Sequence, residues 1–91
     1  METFYFEPSR RGQNLAKCIN AHLADELDLT NRGVKTANFY VLRHSSMPAT
    51  LVELAFISNP IEEEMLGDEK MQLKMAQAVA RGISDYFTQC S

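Results

Sequence analysis

A single carboxylate, Glu53, stands inside an otherwise apolar run of β-type residues at positions 50–57. In a strand, Leu51 and Glu53 would lie on one face, so the acid would share that face with core residues. Burial without a partner would force such a group to protonate, because a low-dielectric environment disfavours the ionised form. We therefore expect Glu53 to have a partner or a catalytic function. The alternative is an edge-strand glutamate that points into solvent.

The other residues that could do chemistry are few and poorly spaced for it. The chain has two histidines, His22 and His44, and two cysteines, Cys18 and Cys90. No histidine pair at helical spacing and no Cys-x-x-Cys pair is present, so a metal site built from these residues and Glu53 is not favoured. We interpret His22 as a surface residue, and Cys18 as a half-buried thiol on a helix rather than the disulfide partner of Cys90.

Composition limits the class of protein. The chain has 91 residues, of which 45% are hydrophobic and 23% are charged, and this is typical of one small soluble domain spanning residues 1–91. The net charge of -3 argues against a nucleic acid partner, since it provides no basic field for phosphates. No run approaches the roughly 18 apolar residues of a membrane span, and the first residues lack the basic start of a signal peptide.

Hydrophobic periodicity predicts three helices. The first is an amphipathic helix of about five turns that starts after Ser9, a residue suited to cap its amino terminus. A short acidic helix runs from Pro60 to Leu66, and a final helix covers residues 69–88. The apolar residues that repeat every four positions and should form the core-facing stripe of the final helix are Met71, Met75, Val79, Ile83 and Phe87.

Three segments have strand composition: residues 3–6, 37–43 and 50–57, the last of them more central in the sheet. The connection at residues 44–49 is too short for a helical crossover. The second and third strands are therefore either antiparallel neighbours or separated in the sheet by another strand. The expected fold is α/β, a mixed-sheet fragment flanked by helices in the order strand, helix, strand, strand, helix, helix.

Three segments resemble the second half of the catalytic domain of the zinc-dependent N-acetylmuramoyl-L-alanine amidases of amidase type 3. They are Asn-Arg-Gly-Val-Lys at 31–35, Asn-Phe-Tyr-Val-Leu-Arg at 38–43, and Met-Pro-Ala-Thr-Leu-Val-Glu-Leu-Ala-Phe-Ile-Ser-Asn-Pro at 47–60. The resemblance implies that Glu53 is the catalytic acid/base beside a zinc ion, in a hydrolase that cleaves the amide bond between N-acetylmuramic acid and L-alanine in peptidoglycan. Ala55 departs from the family, which usually has glycine at this position.

The same resemblance implies that this chain does not carry the zinc ligands. In the family they are two histidines and a glutamate in segments that we expect upstream of Met1, and His22 and His44 match none of them. The chain alone should then be inactive, and its parent protein should act outside the cell, in the periplasm or at the cell wall. His44 would lie near the mouth of the site and could contact the glycan or the peptide of peptidoglycan. Arg43 could bind a stem-peptide carboxylate, or it could cap a carbonyl or pair with Asp28 or Glu53.

Two other interpretations remain open at this stage. The chain could be a non-catalytic module, derived from the amidase fold, that binds peptidoglycan or a protein partner. An unrelated small α/β regulatory domain has no motif in its favour. Half of a sheet leaves unpaired strand edges, so a homodimer or a strand-swapped assembly is also predicted.

Overall fold

The computed structural model describes residues 1–54 and 60–90, which form a mixed three-stranded sheet with helices. The strands are β1 (Glu2–Tyr5), β2 (Val34–Thr36) and β3 (Leu51–Glu53), in the spatial order β2-β1-β3. β1 pairs with β2 in parallel and with β3 in antiparallel orientation. The α/β prediction is confirmed, and β2 and β3 are separated by a third strand. β3 lies at an edge of the described sheet, so its predicted central position is wrong for these residues.

The first helix, α1 (Arg10–Glu26), follows its sequence prediction closely. The Ser9 hydroxyl accepts a hydrogen bond from the Gly12 amide at 2.9 Å, which satisfies one of the amides that a helix start leaves unpaired. Ile19 and Leu23 on the apolar stripe are buried, and the Leu27 amide ends the helix by donating to the Leu23 carbonyl.

The predicted strand at residues 37–43 is wrong. The strand β2 comes earlier, and Tyr40–Arg43 form a one-turn helix, α2. The Arg43 amide donates to the Phe39 carbonyl at 2.9 Å and the His44 amide to the Tyr40 carbonyl at 3.0 Å. The aromatic and β-branched composition favoured a strand, but β propensity reflects packing on a half-buried surface. Residues 39–41 are exposed, so they gain little of that packing and the local helical hydrogen bonds decide the conformation.

The turn before β2 behaves as its sequence predicts. Gly33 has a φ of 89°, a left-handed conformation that favours glycine. The Asn31 carboxamide oxygen accepts from the Gly33 amide at 2.9 Å and from the Asn20 side chain at 3.4 Å. Asn20 in turn accepts a buried hydrogen bond from the Thr3 hydroxyl at 3.1 Å. This chain of polar contacts fixes the start of β2 relative to α1 and β1.

Two further helices, α3 (Pro60–Leu66) and α4 (Glu69–Asp85), complete the fold, and a π-helical turn (Tyr86–Cys90) extends α4. α4 packs along α1, and Gly82 lies so close to α1 that a Cβ there would be 2.5 Å from the Ile19 Cα. The buried apolar core between these helices and the sheet consists of Met1, Ile19, Leu23, Leu27, Leu29, Met75 and Ala78. Val52 and Leu54 pack against this core from β3 and the residues after it.

The predicted core stripe of the last helix is correct at its start and wrong at its end. Met75 is buried, whereas Ile83 is 40% exposed and Phe87 is 70% exposed. Both line an open groove together with Leu15 and Met47. The end of α4 still lies beside α1, because Leu15 of α1 lines the same groove and Tyr86 is buried, so Ile83 and Phe87 face this groove instead of the core.

Two other predictions can be placed. Cys18 is buried on α1, deeper than the half-buried thiol predicted, while the side chain of Cys90 lies outside the described residues. The end of the predicted strand at 50–57, with Ala55, also lies outside them. In the described ranges, no helix has the length and apolar character needed to cross a bilayer.

Candidate active site

Glu53 lies at the end of β3 with its side chain exposed to solvent. The prediction that it shares a face with core residues is wrong. Val52 packs against the core, so the alternation of the strand directs Leu51 and Glu53 to the opposite face. On that face Leu51 is only half-buried and Glu53 is exposed. In these residues Glu53 matches the alternative of an edge-strand glutamate open to water.

This open face of the sheet, defined here by Glu2, Phe4, Lys35, Leu51 and Glu53, is built by the register of three strands. Glu2 lies directly opposite Glu53, and Phe4 opposite Leu51, in the antiparallel pair. Phe4 also pairs with Lys35 across the parallel ladder.

Charges on the open face are unevenly paired. The Lys35 ammonium forms an ion pair with Glu2 at 3.1 Å between Nζ and Oε2. No hydrogen bond or ion pair joins Glu53 to another side chain within residues 1–54 and 60–90. Glu53 is therefore a carboxylate that water reaches and that no side-chain contact holds in place within the described residues.

The two predicted substrate-binding residues, Arg43 and His44, lie together at the end of α2. The Arg43 Nε donates to the His44 Nε2 at 3.2 Å, and Nη1 donates to the Asn38 side-chain oxygen at 3.4 Å. The His44 ring stacks on Tyr40, with centroids 4.1 Å apart. The alternative in which Arg43 pairs with Glu53 is wrong among the described residues, because its hydrogen bonds go to neutral groups.

α2 is connected to the open face through an aromatic contact. Phe39, the residue before α2, meets Phe4 edge to face with ring centroids 5.5 Å apart. Phe4 lies on the same face as Glu53, two residues from its partner Glu2. Sequence reasoning missed Asn38 and Tyr40 as partners of Arg43 and His44. The i, i+4 spacing of Tyr40 and His44, typical of one helical turn, was the signal that could have identified them.

His22 is not the simple surface residue that the sequence suggested. Its Nδ1 lies 2.9 Å from a Glu26 carboxylate oxygen, and its Nε2 lies 2.5 Å from an Asp85 carboxylate oxygen on α4. Hydrogen bonding to Asp85, and secondarily to Glu26, raises the pKa of His22 above its ordinary value of 6.5. Arg81 also forms an ion pair with Glu26. These four residues join α1 to α4 by charge.

The described residues do not fit a zinc ion. Within them, no group of three or more histidine, cysteine, aspartate or glutamate side chains could hold a metal. Both ring nitrogens of His22 are bound to carboxylates, and the Nε2 of His44 accepts from Arg43. Catalytic zinc typically needs three protein ligands on one ion, and this arrangement does not supply them.

Comparison of the sequence with known proteins identifies relatives of this chain. Residues 1–85 match the family model described as N-acetylmuramoyl-L-alanine amidase. The uncharacterized protein YqiI of Bacillus subtilis (strain 168) is 41% identical over 88 residues, which cover 93% of this chain and 43% of that protein. The probable cell wall amidase LytH of Staphylococcus epidermidis is 38% identical over 76 residues, covering 84% of this chain and 26% of that protein.

Solved structures agree with the sequence relatives. The N-acetylmuramoyl-L-alanine amidase AmiC2 of Nostoc punctiforme superposes with a TM-score of 0.88 at 36% identity, over 97% of this chain and 48% of that chain. The CwlD amidase of Clostridioides difficile, solved in complex with the GerS lipoprotein, gives a TM-score of 0.90 at 36% identity, over 96% of this chain and 45% of that chain. The chain thus spans about half of these solved amidases or less, and it belongs to the N-acetylmuramoyl-L-alanine amidase family.

Proposed function

We propose that this chain provides the acid/base part of a cell-wall hydrolase that cleaves the amide bond between N-acetylmuramic acid and L-alanine in peptidoglycan. The observation that carries the proposal is the position of Glu53. It is a solvent-exposed carboxylate that forms no ion pair within the described residues, at the end of a strand, in a chain that belongs to the amidase family. Amide hydrolysis needs a proton acceptor that water can reach.

Glu53 would act twice in one turnover. It would first accept a proton from the water that attacks the amide carbonyl, and it would then give that proton to the leaving nitrogen. Both transfers require that the carboxylate points towards substrate and solvent rather than into the core. The alternation that turns Val52 inward and Glu53 outward meets this requirement.

The described residues alone would not form the complete centre. The zinc ion that the resemblance implies does not fit them, so its ligands must come from other residues of the parent protein or from another polypeptide. We therefore infer that the 91-residue chain by itself does not cleave peptidoglycan. The parent protein would act at the cell wall, as the names of relatives such as the probable cell wall amidase LytH suggest.

Partner proteins are part of the proposal. Each outer strand, β2 and β3, has only one neighbour among the described residues, and an edge of this kind can pair with another chain. A second copy of this chain or a strand-swapped assembly remains a prediction. The CwlD relative was solved in complex with a lipoprotein. A different protein, instead of a second copy of this chain, is therefore the alternative partner for the open strand edges.

The test compares three samples: the 91-residue chain, the chain joined to the amino-terminal half of the catalytic domain of a relative, and that half alone. Zinc content and the release of L-alanine amino groups from purified peptidoglycan are measured on each. We expect zinc and cleavage only in the joined protein. Cleavage by the short chain would contradict the inferred need for other residues. Wall binding by the short chain, combined with an inactive but zinc-loaded joined protein, would favour the binding-module function.

A further inference from the structure

The guanidinium of Arg43 is held by three neighbouring side chains in and next to α2. It donates to the His44 ring at 3.2 Å and to the Asn38 side chain at 3.4 Å, and its Cζ lies 5.9 Å from the centroid of the Tyr40 ring. The His44 ring is itself stacked on Tyr40. We call these four residues the α2 stack. They hold a long, flexible side chain in one orientation before any ligand arrives, which lowers the entropic cost of binding.

All the contacts that orient Arg43 are made by uncharged or aromatic groups. Lys35 is paired with Glu2 and Arg81 with Glu26, but no carboxylate pairs with Arg43 in residues 1–54 and 60–90. A guanidinium has five N–H groups in a planar fork, and two of them are used here. Three N–H groups therefore remain to bind an anion, on an arginine that its hydrogen bonds to His44 and Asn38 already orient.

The α2 stack lies beside the proposed catalytic face. α2 begins directly after Phe39, whose ring meets Phe4 on the open face, and Phe4 is opposite Leu51 in the strand that ends at Glu53. A ligand held by Arg43 would thus extend from α2 towards the open face. This placement connects the anion site to the substrate that Glu53 would act on.

We propose that the α2 stack binds a carboxylate of the peptidoglycan stem peptide, and so selects the peptide side of the scissile amide bond. This inference rests on the proposed function. A carboxylate matches the planar arginine fork in a bidentate manner, whereas a neutral sugar does not.

The experiment is an NMR titration of the isotope-labelled 91-residue chain, following the amide signals of residues 38–44. The probes are N-acetyl-L-alanyl-γ-D-glutamate, its diamide, and glycerol phosphate. We expect the dicarboxylate to bind on the order of tenfold more tightly than the diamide, because charge-assisted hydrogen bonds are lost in the latter. Equal binding of the two dipeptides would overturn the proposal. Tighter binding of glycerol phosphate would assign the site to phosphate, and would also overturn it.

Variants separate Arg43 from general charge effects. Arg43→Ala should weaken dicarboxylate binding about tenfold, and Arg43→Lys should restore only part of it, since lysine keeps the charge and loses the fork. Arg10→Ala, which removes an exposed cation from α1, is the matched control and should bind as the parent does. Unchanged binding in Arg43→Ala would contradict the proposal. If that variant does not fold, Arg43→Lys and the diamide still decide the question.

This titration needs neither zinc nor cleavage. A failure to bind the dicarboxylate therefore disproves the α2 site and leaves the proposed role of Glu53 untouched. Conversely, if the joined protein does not cleave peptidoglycan, the proposed hydrolase function is wrong. The titration can still show specific carboxylate binding at the α2 stack in that case.

Discussion

The packing of α4 on α1 at Gly82 gives a prediction whose magnitude follows from the structure. A Cβ at this position would lie 2.5 Å from the Ile19 Cα and 2.9 Å from its backbone nitrogen, about 1 Å closer than ordinary contact. Because the obstacle is backbone, no rotamer change relieves it, and the helices must separate. Alanine is the better helix former by about 1 kcal/mol, but overpacking typically costs about 1–3 kcal/mol and a clash with backbone belongs at the upper end.

We therefore expect Gly82→Ala to lower the free energy of unfolding by about 1–2 kcal/mol after the gain in helix propensity is included. For a domain of this size, each kcal/mol corresponds to a decrease in Tm of about 4–8 °C. The assay is thermal and urea unfolding followed by circular dichroism at 222 nm. Gly67→Ala is the matched control, because its Cβ would lie 3.5 Å from the nearest atom, the Glu64 carbonyl oxygen. A Tm for Gly82→Ala equal to or above that of the parent would refute the close packing.

Two further predictions concern charge and capping. His22 has a raised pKa, so its interaction with Asp85 and Glu26 stabilises the fold fully below the ordinary histidine value of 6.5 and is lost as pH rises through the raised value. His22→Gln should thus destabilise the chain most in mildly acidic solution, measured by urea unfolding across pH, and a deficit that grows with pH would contradict this sign. Ser9→Ala should cost about 1 kcal/mol by removing the hydrogen bond to the Gly12 amide, whereas a Tm equal to that of the parent would show that the cap contributes nothing.

The helices were predictable from sequence because periodicity and caps are local signals. Ser9 before the stripe of α1, and Pro60 at the start of α3, marked helix starts that the structure contains. Gly33 was predictable for the same reason, since the turn requires a conformation that other residues rarely adopt.

The strands were harder because their outcome depends on neighbours that are distant in sequence. Phe39, Tyr40 and Val41 have strand composition, yet they stay exposed apart from the edge contact of Phe39 with Phe4, and α2 forms instead. Strand alternation correctly separated Val52 from Glu53, but it could not tell which face would receive the helices. The helical core packs on the face that contains Val52. Glu53 lies on the opposite face and is therefore exposed, although burial was predicted.

The candidate site was predictable only in part. The resemblance to the amidase motifs identified Glu53, and the expected position beside the substrate suggested Arg43 and His44, which the structure shows in contact. Their contacts with Tyr40 and Asn38 depend on the helical turn α2, and this turn was not predicted because residues 37–43 were interpreted as a strand. The catalytic role of Glu53 stays a prediction, since the residues described here hold no complete metal centre.

One measurement tests the central claim most directly: peptidoglycan cleavage and zinc content of the joined protein carrying Glu53→Gln, beside the same protein carrying Glu63→Gln. Glu63 is an exposed glutamate on α3, so its substitution controls for the loss of one negative charge. If Glu53 is the acid/base, Glu53→Gln keeps its zinc and loses cleavage by about 10²–10⁴-fold, while Glu63→Gln cleaves as the parent does. Cleavage by Glu53→Gln at the rate of the Glu63→Gln control would contradict the claim.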